Sequence, residues 1–254
     1  MCTVVILRRP GHPWPLILGA NRDEMLNRPW QPPARHWPDR AHVVAGRDEL
    51  AGGTWMGVND GGVVACILNR YGSLGPAPGK RSRGELVLDA LDHGDAVEAA
   101  QALKDLNPAA YRPFNMVIAD NRDAWWLAVT GESEAIRLEP IPVGLSMFTA
   151  HDRNDLTDPR IAAYLPRFQG ATAPDPAGAG WESWRELVAA NKAVGAPTTA
   201  MSFRTESGFG TSSSSLLALP SPEAAFSAGK KRVEWLFAPG APDRTPFAPI
   251  NLQI

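Results

Sequence analysis

Met1-Cys2-Thr3-Val4-Val5-Ile6-Leu7-Arg8 is followed, after a turn carrying Pro10, Gly11, Pro13 and Pro15, by Leu16-Ile17-Leu18-Gly19-Ala20-Asn21-Arg22-Asp23-Glu24. Two apolar runs around such a turn read as an antiparallel hairpin, Cys2–Arg8 with Pro15–Asn21. Pairing Arg8 with Leu16 keeps the sum of facing indices constant and sets Cys2 opposite Arg22, within about two residues. The thiol is thereby expected beside the Asn-Arg-Asp-Glu segment. Removal of Met1, which the small side chain of Cys2 favours, leaves one residue carrying a nucleophile and a base. A free thiol titrates near ~8.5 and an α-amine near ~7.7–8.0, so the amine can take the thiol proton at neutral pH. The plainer alternative is a half-buried apolar residue at the start of a strand.

The rest of the composition bounds the chemistry. The chain has 254 residues, 44% hydrophobic and 20% charged, with a formal net charge of -2. This is an ordinary globular composition, read as a single domain over residues 1–254. No basic excess points to nucleic acid. No stretch approaches the ~18 apolar residues of a membrane span, and Val4–Leu7 is too short for a secretory signal. Only Cys2 and Cys66 are present, too few for a disulfide framework, so a reduced, cytoplasmic protein is expected.

Strands are expected at Thr54–Asn59 and Val63–Asn69 around Asp60-Gly61-Gly62, at Phe114–Ala119 and Ala124–Val129, and at Ala135–Leu138 and Val143–Ser146. Ser202–Thr205, Ser213–Leu219 and Val233–Ala238 read as later strands. Helical periodicity marks Arg83–His93, Asp95–Leu106, Asp158–Phe168 and Trp181–Asn191. Residues 29–53 lack periodicity and are expected to be a long loop. Strands, two helices, strands, two helices, strands suits an α+β arrangement of two sheets with helices outside.

An N-terminal nucleophile needs a base, a group to orient the amine and donors for the oxyanion. The α-amine is the base. Asp23 is placed by the hairpin register to hold the amine by a charge-assisted hydrogen bond. Asn69, ending its strand, offers a side-chain NH₂ to an oxyanion. Substrate contacts are expected from Asn21, Arg22, Glu24, Trp55 and Arg83, with Trp55 as an apolar wall and Gly52-Gly53 letting backbone approach the ligand. No Gly-x-Ser-x-Gly occurs, the five histidines have no zinc spacing, and there is no phosphate-cradling glycine loop. No metal and no cofactor is expected.

These pieces resemble the NRDE family, the group related to transport and Golgi organisation protein 2. The resemblance rests on Met1-Cys2, on Leu18-Gly19-Ala20-Asn21-Arg22-Asp23-Glu24 with Arg28-Pro29, and on Gly52-Gly53-Thr54-Trp55-Met56-Gly57-Val58-Asn59. Arg83-Gly84-Glu85-Leu86, Phe114-Asn115, Gly144-Leu145-Ser146 and Gly208-Phe209-Gly210-Thr211 extend it along the chain. That family is similar in turn to N-terminal nucleophile amidohydrolases of the choloylglycine and penicillin acylase group. The resemblance implies a four-layer α/β/β/α sandwich of two antiparallel sheets. It places Cys2, Asp23 and Asn69 on the nucleophile, amine-orienting and oxyanion positions.

The chain also departs from that pattern. Ala20 stands where the amidohydrolases have an arginine, and Arg22 projects to the opposite face from Asn21 and Asp23. Met147 stands where many relatives have asparagine, with Asn154 the nearest substitute. A late basic position of the amidohydrolases falls near Ser212–Ser215. Two functions follow as expectations: hydrolysis of a small amide or acyl bond, or non-catalytic binding and trafficking of haem or acyl-CoA and lipid. No haem-attachment motif is present. A third reading has Asn21–Glu24 merely knitting the hairpin ends together.

Overall fold

The structure is a computed structural model that describes residues 2–131, 133–177, 180–193, 195–226 and 233–252. In chain order its strands and helices are β1 (Thr3–Arg8), β2 (Leu16–Met25), β3 (Trp30–Ala34), β4 (Val43–Asp48), β5 (Met56–Asn59), β6 (Val64–Asn69), α1 (Gly84–Leu91) and α2 (Ala96–Lys104). There follow β7 (Phe114–Ala119), β8 (Ala124–Val129), β9 (Arg137–Pro140), β10 (Gly144–Phe148), α3 (Pro159–Gly170) and α4 (Glu182–Val188). The chain ends with β11 (Phe209–Leu219), α5 (Pro222–Phe226), β12 (Glu234–Ala238) and β13 (Ala248–Pro249). The fold is α+β, with two antiparallel sheets carrying helices. The chain divides into two compact units, Met1–Arg28 with Val143–Gln253, and Pro29–Pro142.

In the first unit the sheet order is β10-β1-β2-β11-β12-β13. One sheet face carries Val5, Ile17, Leu216, Ala218 and Met147, packed against Ile161, Tyr164, Leu165 and Phe168 of α3 and Trp184 and Val188 of α4. The α3 residues recur at i, i+3, i+4 and i+7, the stripe that lays a helix on a sheet. Phe168 meets Trp184 edge-on, with ring centroids 5.3 Å apart. Asp158 caps α3 by accepting from the Arg160 and Ile161 amides, and Pro159 takes the first helical position, where no donor is needed.

In the second unit the order is β3-β4-β5-β6-β7-β8-β9. Helices α1 and α2 cover Val43, Ala45, Val63, Ala65, Met116, Ile118, Leu127 and Val129. One carboxylate ties this unit together. Asp120 Oδ1 accepts from the Arg122 and Asp123 amides in the β7–β8 turn, at 2.7 and 2.8 Å, and Oδ2 accepts from the Ala96 amide at the start of α2, at 3.0 Å.

Two sequence expectations fail here. Residues 29–53 are not a loop but contain β3 and β4, joined by a short helical turn at Pro38–Arg40. Trp30 and Gln31 pair with Asp48 and Arg47, and the register shifts before Ala34. Pro32 and Pro33 sit at that shift on an edge strand, the place where a missing amide is tolerated. An edge strand of this kind leaves no alternation to read. Ser202–Thr205 forms no strand; Arg204 makes a lone bridge to Gly210. Among the described residues, no helix is long and apolar enough to cross a membrane, and no group of three or more His, Cys, Asp or Glu is placed to hold a metal.

Candidate functional site

Strands β1 and β2 pair from Thr3 with Asn21 to Arg8 with Leu16, the register expected from the turn. Carried one residue past the ladder, it sets Cys2 across from Arg22. Side chains alternate between faces along a strand. Val5 and Ile17 mark the helix-covered face, so Thr3, Asn21 and Asp23 share it, while Cys2, Ala20 and Arg22 belong to the other. Arg22 therefore lies on the face of Ala20, the position left without an arginine.

The half-buried Cys2 brings its Sγ to the Asp23 backbone. The Asp23 amide donates to Sγ at 3.4 Å, and the thiol points back to the Asp23 carbonyl at 3.5 Å. Burial, and then the Asp23 carboxylate, push the thiol above its usual pKa, while the amide hydrogen bond and the Arg22 cation act the other way.

The Asp23 carboxylate is buried and held on both oxygens. Oδ2 accepts from Arg160 Nη1 at 2.8 Å, and Oδ1 accepts from Thr211 Oγ1 at 2.8 Å. The same Arg160 nitrogen donates to Thr3 Oγ1 at 2.7 Å, and Nη2 donates to the Thr198 carbonyl at 2.6 Å. The guanidinium carbon lies 5.2 Å from the centre of the Phe203 ring.

Strand β11 supplies a matching polar edge. Thr211 pairs with Asp23, Ser213 with Arg22 and Ser214 with Asn21, and the register shift leaves Ser212 as an extra residue. Arg22 Nη1 donates to Ser212 Oγ at 3.0 Å, and that hydroxyl donates to the Arg22 carbonyl at 3.1 Å. Asn21 is fully used within the fold. Its Nδ2 donates to the Val188 and Met201 carbonyls, both at 2.8 Å, and its Oδ1 accepts from Ser214 Oγ at 2.6 Å. Glu24 accepts from the Met25 amide at 2.8 Å and lies 3.9 Å from Arg28 Nε. Asn154 sits in the left-handed region at φ 56, where its Oδ1 accepts from the Met147 amide at 2.7 Å.

The remaining expected residues belong to the second unit. Asn69 ends β6 opposite Phe114 and is half-buried. Trp55 meets Trp30 edge-on at 5.7 Å. Arg83 Nη1 donates to the Ser73 carbonyl, the Ser73 hydroxyl and the Pro113 carbonyl at 2.8, 3.0 and 3.0 Å, which ties down the loop before α1. Gly53 lets backbone meet backbone: a Cβ there would lie 2.6 Å from the Gly84 carbonyl carbon, and the Thr54 amide donates to the Gly84 oxygen at 3.1 Å. The Gly-Gly-Thr-Trp and Arg-Gly-Glu-Leu segments are thus one packed joint.

A profile described as "Transport and Golgi organisation 2" matches residues 1–156. The chain belongs to this family. Among curated relatives, the Transport and Golgi organization 2 homolog of Mus musculus is 34% identical over 141 residues, 52% of this chain and 50% of its own length. The Homo sapiens homolog is 34% identical over 143 residues, with the same coverage of 52% and 50%. The chain spans about half the length of the curated relatives it matches. Among solved structures, a Caenorhabditis elegans N-acylethanolamine-hydrolyzing acid amidase ortholog superposes with TM-score 0.60 at 16% identity, covering 88% of this chain and 95% of that one. A mutant conjugated bile acid hydrolase from Clostridium perfringens gives TM-score 0.52 at 12% identity, covering 99% and 97%. A second variant of that hydrolase gives 0.55 at 12% identity, covering 100% and 94%. The fold is that of the N-terminal nucleophile hydrolases.

The segment that matches the Transport and Golgi organisation 2 profile includes Cys2, Arg22 and Asp23 but ends before Arg160, Thr211, Ser212 and Ser214. Sequence reasoning missed those four as partners. Arg160 lies inside an expected helix, Asp158–Phe168, and Ser212–Ser215 carry no charge to mark them as partners of a carboxylate or a guanidinium. A cation at the wrong end of a helix and a polar run leading into a buried strand were the signals available.

Proposed function

We propose that this protein is an N-terminal nucleophile hydrolase of a small amide or related acyl bond. Removal of Met1 exposes the Cys2 amine. The thiol proton passes to that amine as Sγ bonds to the substrate carbonyl carbon. The ammonium proton then passes to the leaving nitrogen as the C–N bond breaks, giving a thioester and a free amine. Water hydrolyses the thioester, with the α-amine again taking a proton, and Cys2 is restored. Asp23 orients the amine. Arg22, on the thiol's face, supplies positive charge.

The observation that carries this reading is the Cys2 Sγ seated on the backbone of an aspartate whose carboxylate is buried and held at both oxygens. The family resemblance adds Asn69 as oxyanion donor. The amide class agrees with the solved neighbours, which are named for hydrolysis of N-acylethanolamines and of conjugated bile acids. The reading takes residues 1–254 as one functional domain working in the cytoplasm on a small-molecule substrate.

Intact mass before and after treatment with a cysteine-directed acylating probe tests it. The expected result is loss of Met1 and one label on Cys2 that disappears in Cys2→Ala, followed by turnover of N-acyl amides. Retained Met1 or an inert Cys2 rejects the hydrolase and leaves the binding reading, addressed by titration with haem and acyl-CoA.

A further inference from the structure

Arg160 breaks a local rule. It occupies the second position of α3, where the amide dipoles disfavour a cation, and it is buried. Such a residue persists where the surrounding structure compensates it and where its charge has a use. The compensation is visible. Asp158 caps the same turn, Asp23 Oδ2 accepts at 2.8 Å, and the Thr198 carbonyl accepts at 2.6 Å.

The use follows from what one nitrogen touches. Arg160 Nη1 bridges Asp23 Oδ2 and the hydroxyl of Thr3, the residue directly after Cys2. It therefore ties the chain that carries the nucleophile to the carboxylate expected to orient its amine. A buried carboxylate with no countercharge would hold that amine as an ammonium ion, which cannot take the thiol proton. With Arg160 on Oδ2 and Thr211 on Oδ1, the carboxylate is oriented and its charge is already offset.

We propose, building on the hydrolase reading above, that Arg160 is a positioning residue: it locks Asp23 and offsets its charge, leaving the Cys2 amine free to act as a base. Other charged groups stand around it among the described residues. Strand β2 brings Asp23 and Arg22, and α3 brings Asp158, which accepts from Thr149. His151 and Asp155 face each other at 3.7 Å on the loop before α3. Asp243 accepts from Ser202 and Asn191 behind the segment that carries Thr198 and Phe203. Strands β1 and β11 bring the hydroxyls of Thr3 and Thr211 to Arg160 and the Asp23 carboxylate.

The experiment is a charge series in the full chain: wild type, Arg160→Gln, Arg160→Lys, Asp23→Asn, and the double variant Asp23→Asn/Arg160→Gln. Iodoacetamide labelling of Cys2, mapped by peptide mass, is followed from pH 5 to 10, with intact mass for Met1 and circular dichroism for folding. Arg160→Gln leaves a net negative charge, and its labelling midpoint rises, making labelling about tenfold slower near neutral pH with the same alkaline plateau. Arg160→Lys restores most of that loss. Asp23→Asn lowers the midpoint. The double variant returns it to the wild-type position, because the two charges removed cancel. A purely structural Arg160 would change the plateau or the folded fraction, not the midpoint.

A folded Arg160→Gln with an unmoved midpoint overturns the proposal. If that variant does not fold, the double variant, a neutral pair of similar size, decides. A midpoint at the wild-type position supports the proposal. A midpoint as low as that of Asp23→Asn alone overturns it. Retained Met1 or an unlabelled Cys2 in the wild type instead removes the hydrolase reading itself.

Discussion

Replacing Asn21 with alanine should cost the fold about 3–4 kcal/mol. The side chain is buried and makes three hydrogen bonds, to the Val188 carbonyl, the Met201 carbonyl and the Ser214 hydroxyl. Two of these partners have an alternative: the Met201 carbonyl also lies 3.3 Å from Thr211 Oγ1, whose one proton is shared with Asp23, and Ser214 can turn its proton to the Ala20 carbonyl at 3.2 Å. The Val188 carbonyl, at the last turn of α4, has no intrahelical donor to replace Asn21. Leaving it buried and unpaired costs about 1–3 kcal/mol, and each lost but replaceable bond about 1 kcal/mol. With a urea m value of about 3 kcal/mol/M, the midpoint falls by about 1 M. The assay is urea unfolding followed by fluorescence of the buried Trp14, Trp181, Trp184 and Trp235, all in the same unit. A loss under about 1 kcal/mol at unchanged m would show that Asn21 does not fasten α4 and the Met201 segment to β2.

Gly53→Ala should destabilise by more than about 2 kcal/mol, because the added carbon would lie 2.6 Å from Gly84 backbone; thermal unfolding reads the loss. Asp158→Ala removes the α3 cap, costing about 1–2 kcal/mol, and loosens Arg160 in the same first turn; Cys2 labelling near neutral pH should slow along with the drop in Tm. Cys66 is buried, and burial pushes its thiol pKa well above the usual thiol range. Below that range both folded and unfolded states hold the proton, and stability is unaffected. Above it the unfolded chain loses the proton first, so stability falls by about 1.4 kcal/mol per pH unit. Urea midpoints of wild type and Cys66→Val at pH 8, 9 and 10 should diverge in that direction.

Much of the skeleton is legible along the chain, for local reasons. The β1–β2 register follows from turn length, since every pair after the first is fixed by antiparallel geometry. β7 and β8 appear at their expected bounds because their apolar runs are closed by Asp120-Asn121-Arg122-Asp123, whose turn chemistry is short-range. Asp95 and Asp158 announce α2 and α3 as caps one residue before each helix. β3 and β4 were not legible, because edge pairing with a register shift around Pro32-Pro33 leaves no periodic trace.

The candidate site divides in the same way. Sequence alone determined that Cys2 would meet the Asn21–Glu24 segment and that Arg22 would face away from Asn21 and Asp23, because alternation and register act between neighbours on one hairpin. It could not determine what each polar side chain would bond. Only tertiary structure spent the donors of Asn21 on α4 and the Met201 carbonyl, and those of Arg83 on the Ser73 loop. Only tertiary structure brought Arg160 and Thr211 to the Asp23 carboxylate, across 137 and 188 residues of chain. A buried carboxylate must find partners, but which residues arrive is decided by how α3 and β11 pack, and no local pattern encodes that.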